Sequence, residues 1–194
     1  EFKFNGGGLR IQSNGAITLN NIVASNNHNY NGVWLVNDSS TVNSSVTLTG
    51  TNIFNDNNYG GINIYSKGII SLNNVKANGN GFGAGSGFGA ELYNFASGTP
   101  KAVTISVSGG NPDSLFNNNY SGGLQVYSLR AITVTGIVAA DNANGNGVTL
   151  KNDYLGALGG ITILGWGGSF SNNGGGYGLS AYSLGSITAP HLYA

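Results

Sequence analysis

A glycine that opens a short alternating run recurs seven times, and this repeat constrains the fold more than anything else in the chain. Four copies are Gly8-Leu9-Arg10-Ile11-Gln12-Ser13, Gly61-Ile62-Asn63-Ile64-Tyr65-Ser66, Gly123-Leu124-Gln125-Val126-Tyr127-Ser128 and Gly178-Leu179-Ser180-Ala181-Tyr182-Ser183. Three more interleave with them: Gly32-Val33-Trp34-Leu35-Val36-Asn37, Gly89-Ala90-Glu91-Leu92-Tyr93-Asn94 and Gly147-Val148-Thr149-Leu150-Lys151-Asn152. The first set ends on Ser (type A) and the second on Asn (type B), in the order A-B-A-B-A-B-A. Repeats of this length stack as a solenoid, because one unit alone cannot bury its apolar face. The expected architecture is one all-β domain over residues 1–194: a partial coil at 1–7, then coils starting near 8, 32, 61, 89, 123, 147 and 178.

Each coil carries three runs of period two, the signature of strands. The second strand reads Ile17-Thr18-Leu19, Val46-Thr47-Leu48, Ile70-Ser71-Leu72, Val103-Thr104-Ile105, Ile132-Thr133-Val134, Ile161-Thr162-Ile163 and Ile187-Thr188-Ala189. The third ends on Ala24, Phe54, Ala77, Phe116, Ala139, Phe170 and Ala194, alternating small and large with the coil type. An interior with room for one ring per two rungs demands that alternation. Three residues later stand Asn27, Asn57, Asn80, Asn119, Asn142 and Asn173. Stacked one rung apart, their amides can donate and accept along the axis, and Asn tolerates the left-handed backbone of tight turns.

Runs such as Gly-Ala-Ile-Thr-Leu-Asn-Asn-Ile-Val-Ala-Ser-Asn-Asn (15–27) and Gly-Ile-Ile-Ser-Leu-Asn-Asn-Val-Lys-Ala-Asn-Gly-Asn (68–80) resemble the right-handed parallel β-helix repeat proteins of the pectin-lyase-like fold. That resemblance spans nearly the whole chain. It implies a right-handed solenoid, in keeping with the general crossover rule. It also implies either a bacterial exported adhesin or a polysaccharide-degrading enzyme. The enzymes of that fold resemble one another in clustered carboxylates. Here the acids are Glu1, Asp38, Asp56, Glu91, Asp113, Asp141 and Asp153. No two fall on neighbouring rungs of one column; Asp38 and Asp153 share a turn position roughly 19 Å apart. The expected protein is a structural or adhesive one, not an enzyme, with no catalytic residues; the alternative is a polysaccharide lyase or hydrolase, which would lose turnover on mutation of Asp38, Asp153 or Glu91.

Other chemistry is equally thin. Net charge is zero with 7% charged residues, and the seven Lys and Arg are scattered along the sequence. That speaks against nucleic acid as a partner. Cys and Met are absent, and His28 and His191 stand far apart, so neither a metal site nor a cofactor is expected. No apolar run reaches membrane-spanning length. The expected location is extracellular or at the cell surface.

Three surfaces remain as candidates. Outward on the first strands, Tyr65, Tyr93 and Tyr127 fall in one column with Tyr182, an aromatic strip for another subunit or a cell-surface glycan. Outward on the second strands, Thr18, Thr47, Thr104, Thr133, Thr162 and Thr188 form a column like that of ice-binding solenoids. At the ends, Phe2 and Phe4 could meet Ala181, Ala189, Leu192 and Ala194 of another copy, with Phe4 continuing the Phe column. Head-to-tail stacking into a filament of identical subunits is the expectation, because solenoid edges carry unpaired backbone groups.

Overall fold

A computed structural model describes residues 1–39, 43–94, 101–108, 114–165 and 169–190. Among these residues every regular element is a strand. The chain is an all-β parallel β-solenoid. The first sheet stacks Leu9–Gln12, Val33–Asn37, Ile62–Ser66, Ala90–Asn94, Leu124–Ser128, Val148–Asn152 and Leu179–Ser183, in that order and all parallel. The second stacks Ile17–Asn20, Val46–Thr49, Ile70–Asn73, Val103–Ser106, Ile132–Thr135, Ile161–Leu164 and Ile187–Thr188 in the same way. A narrower third sheet runs through Asn52–Ile53, Val75–Lys76, Ser114–Leu115 and Ile137–Val138. It extends to Ala24–Ser25 and Phe2–Lys3 through pairing and a bridge from Val23 to Ile53.

Alternation within each strand sends every second side chain inward. Val33, Leu35 and Asn37 are buried while Trp34 and Val36 are half-exposed, and the same pattern holds in the four first-sheet strands that follow. The third-sheet register sets Ala77 beside Phe54 on one side and Phe116 on the other, and Ala139 beside Phe116. Phe54, Phe116, Ala24, Ala77 and Ala139 have no exposed surface. Ring and methyl thus interdigitate along the axis, as dense interior packing requires.

One expectation is corrected here. Phe4 does not continue the Phe column: it is 70% exposed, whereas Phe2 pairs with Ala24 and packs against the core. The reason lies in the ladder spacing. In each coil the core residue precedes its ladder Asn by three, and Asn5 donates its backbone N–H to Asn27 Oδ1 (3.1 Å). Phe2 and Asn5 therefore repeat the Phe54–Asn57 spacing. Phe4 falls at the corner position with a left-handed backbone (φ 57°), which turns its ring outward. Asn26, Asp56, Gly79, Asn118, Asp141 and Asn172 hold that conformation in the other coils. The left-handed residue is thus the one before each ladder Asn, not the ladder Asn itself.

The ladder is continuous. Asn27, Asn57, Asn80, Asn119 and Asn142 each donate Nδ2–H to Oδ1 of the next coil's Asn at 2.8–3.0 Å. The same Oδ1 atoms also accept the preceding Asn backbone N–H. Each Nδ2 further donates to the carbonyl that ends the third strand one coil earlier, as Asn80 does to Phe54 at 2.9 Å. The Ser/Asn residues ending the first strands behave differently. Ser13, Ser66, Ser128 and Ser183 accept the N–H two residues on, while Asn37, Asn94 and Asn152 donate to corner carbonyls.

The coil-opening glycines sit where backbones converge. A Cβ on Gly123 would lie 2.5 Å from the Gly147 carbonyl oxygen and 2.6 Å from that of Phe116. Gly32, Gly61, Gly89 and Gly147 face equivalent carbonyls. Close backbone approach, not a turn conformation, fixes glycine in this column.

Candidate functional site

The outward face of the first sheet carries the densest array of aromatic and ionisable side chains. Two outward columns run along it in strand register. One is Gln12, Val36, Tyr65, Tyr93, Tyr127, Lys151 and Tyr182; beside it lie Arg10, Trp34, Asn63, Glu91, Gln125, Thr149 and Ser180. Parallel pairing places identical positions one rung apart, about 4.8 Å, close to ring-stacking distance. Tyr65 and Tyr93 stack with centroids 4.7 Å apart and planes 6° apart; Tyr93 and Tyr127 stack at 5.5 Å and 24°. Tyr154, from the corner after Lys151, meets Tyr127 edge-on at 6.2 Å. Lys151 Nζ lies 5.2 Å from the Tyr154 ring and 5.8 Å from Tyr182. The sequence-derived strip therefore forms, with Lys151 inserted between Tyr127 and Tyr182.

Glu91 is the carboxylate of this face. Tyr93 Oη donates to its Oε1 (2.9 Å), and Asn63 Nδ2 donates to its Oε2 (3.2 Å). Gln125 and Tyr127 are also hydrogen-bonded. Burial raises the Glu91 pKa above the usual carboxylate range, opposed in part by the Tyr93 hydrogen bond. Burial also raises Tyr93, reinforced by the Glu91 charge and by that same hydrogen bond. Tyr65 is raised first by burial and then by Glu91, with a smaller contribution from Asp38. Asp153 lies 3.7 Å from Lys151 Nζ and adds to the raised pKa of Tyr154, which burial and Tyr127 dominate. Asp38, Glu91 and Asp153 thus all border the tyrosine strip, from different coils.

Toward the first coils lies a groove of about 470 Å³, lined by Arg10, Trp34, Tyr30, Tyr59, Gly7 and Gly8 among others. The Arg10 guanidinium lies over the Trp34 ring, 4.6 Å from its centroid. Tyr30 and Tyr59 are 65% and 42% exposed, which leaves ring surface open to a ligand. Sequence reasoning missed this part. Arg10 and Trp34 were legible as outward residues two places after the coil glycine. Tyr30 and Tyr59 each stand two residues before a coil glycine, an offset that counting backwards exposes, whereas Tyr154 comes from a corner of variable length.

The other candidates are placed as follows. Thr18, Thr47, Ser71, Thr104, Thr133, Thr162 and Thr188 align in one outward column of the second sheet. The neighbouring column is bonded sideways at Asn20–Thr49 (2.8 Å) and becomes aliphatic at Leu164, which is 40% exposed. Of the end residues, Phe2, Ala181 and Ala189 pack against the core and Phe4 does not. Leu192, Ala194, Asp113 and His191 lie outside the described residues. Among the described residues, no three His, Cys, Asp or Glu gather in a way that could hold a metal. No family model, no curated protein and no solved structure matches this chain.

Proposed function

We propose that this chain is a rigid adhesive module of an exported bacterial surface protein of the β-helix type, binding glycan chains through the outward face of its first sheet. One observation carries the reading: stacked Tyr65, Tyr93 and Tyr127 share a sheet face with Trp34, whose groove Tyr30 and Tyr59 line from the corner before that sheet. Aromatic rings offer apolar area to sugar C–H faces, while Asn63, Glu91 and Gln125 offer hydrogen-bonding groups to hydroxyls. The stacked tyrosines use their faces on one another, so they present edges outward. The open ring surface for a sugar is at the groove.

Affinity electrophoresis through gels containing soluble polysaccharides tests this. At least one glycan is expected to retard the protein, with no release of reducing ends or unsaturated products. Trp34→Ala is expected to weaken retardation about tenfold or more, the scale of a buried aromatic contact. Migration unaffected by every glycan, or by Trp34→Ala, sinks the reading; product release restores the enzyme alternative.

A second reading is self-association. The outer edges of Leu9–Gln12 and Leu179–Ser183 are unpaired among the described strands, and Ile187 (48%) and Leu184 (64%) are exposed beside the latter. Such edges template pairing with another chain. Light scattering at rising concentration checks it, and a persistent monomer removes it.

A further inference from the structure

We propose that the corner joining the first and second sheets is a docking surface for an anionic lipid bilayer. The inference is independent of the glycan reading and rests on different residues. Leu129, Leu158 and Leu184 each stand three residues before the second strand of their coil, at Ile132, Ile161 and Ile187, which pair in register. Leu158 N–H donates to the Leu129 carbonyl (2.9 Å). The three leucines therefore form an aliphatic stripe along successive rungs. Leu158 and Leu184 are 63% and 64% exposed, and Leu155, on the turn closed by Ala157 N–H to Tyr154 O (2.9 Å), is fully exposed at 101%. Two coils before Leu129, on the coil from Gly61, Ile69 is 44% exposed at the same corner.

Three of the seven cations continue the corner beyond the Leu129 end of this stripe. Lys101 and Arg130 each stand two residues before strands paired as Val103 with Ile132. Lys101 N–H donates to the Lys67 carbonyl (3.0 Å). Lys67, Lys101 and Arg130 thus occupy three successive coils of one corner. They lie about 30 residues apart, the coil length, so the sequence hides their proximity. Among the described residues the acids at this corner are Asp38, on the coil before Lys67, and Asp153, on the coil of Leu155 and Leu158, where it lies 3.7 Å from Lys151 Nζ.

An aliphatic stripe with cations at one end selects the partner. A polyanion would satisfy the cations but leave the leucines in water. A second copy placed corner to corner would set like charges together. A bilayer with anionic headgroups takes both, leucines into the acyl boundary and cations at the phosphates. No helix among the described residues is long and apolar enough to cross a membrane.

Co-sedimentation of the full chain with vesicles of phosphatidylcholine, with and without about 30% phosphatidylserine, tests the proposal. Pelleting is expected with phosphatidylserine vesicles and is expected to weaken with salt. Lys101→Gln combined with Arg130→Gln should lower partitioning on the order of 30-fold, at about fivefold per cation. Leu155→Ser with Leu158→Ser should lower it about tenfold or more while leaving the far-UV spectrum and melting unchanged. No pelleting with anionic vesicles overturns the proposal, as does pelleting that ignores both double variants. Heparin retention without vesicle binding assigns the cations to a polyanion, and Leu155-dependent dimers without vesicle binding assign the stripe to a second copy; either result also overturns it.

Discussion

Replacing Asn119 by alanine tests whether the amide ladder carries the stability of the solenoid. The Asn119 side chain makes four hydrogen bonds of 3.0 Å and has no exposed surface. Its Oδ1 accepts from the backbone N–H and from Nδ2 of Asn80, and its Nδ2 donates to the Ala77 carbonyl and to Asn142 Oδ1. Truncation leaves the Asn142 oxygen with the Asn119 backbone N–H at 2.9 Å. It orphans two donors of Asn80 and the Ala77 acceptor. Each orphaned buried group costs about 1–3 kcal/mol. A water in the vacated space recovers part of that, so the expected loss is about 4 kcal/mol. Urea unfolding followed by circular dichroism and by tryptophan fluorescence measures it, coincident curves validating a two-state reading. Asn173 makes three of the four equivalent bonds and is half-exposed. Water can replace its contacts, so Asn173→Ala should cost less than half as much. A loss below about 1 kcal/mol at Asn119, or equal losses at the two sites, refutes the idea that burial makes these hydrogen bonds indispensable.

Three further outcomes are expected. Phe116→Ala should cost about 3–5 kcal/mol in the same assay, because a fully buried ring leaves a cavity its alanine neighbours cannot fill. Gly123→Ala should cost about 1–3 kcal/mol or more from overpacking against two carbonyls; Gly15→Ala, whose Cβ would meet nothing nearer than 3.7 Å, should be close to neutral. The urea midpoint should fall as pH rises from the normal carboxylate range through the raised Glu91 pKa, since the folded state holds the proton more tightly than the unfolded state there. Glu91→Gln should flatten that slope, and an unchanged slope would remove Glu91 as its source.

Most of the scaffold was legible because parallel stacking converts sequence period into spatial column. Ala77 between Phe54 and Phe116, and Asn80 bonded to Asn119, follow from aligning the third strands, where the ladder Asn always comes three residues after the Ala or Phe. Phe4 shows where counting slipped: the Phe-to-Asn spacing pointed to Phe2 and Asn5, but the first coil lacks its own opening glycine to anchor the count. The tyrosine strip was legible because strands have fixed length. Tyr154 was not, because its corner varies in length and a side chain there can fold back over either sheet; Tyr30 and Tyr59 share an offset before the coil glycine, outside the strands that were counted. The grouping of Lys67, Lys101 and Arg130 was hidden for the opposite reason: their separation matches the coil period, so charges scattered in one dimension meet in three.

The alternation of ring and methyl along the axis also sets how such a chain can lengthen. Duplicating one coil would place phenylalanine on phenylalanine where Ala77 now separates Phe54 from Phe116, or leave two alanines facing a void. Duplicating a pair restores every contact, and the paired Ser and Asn corners travel with it. Growth and shrinkage by recombination are therefore tolerated in steps of two coils, and solenoids descended from this one should differ by even numbers of rungs.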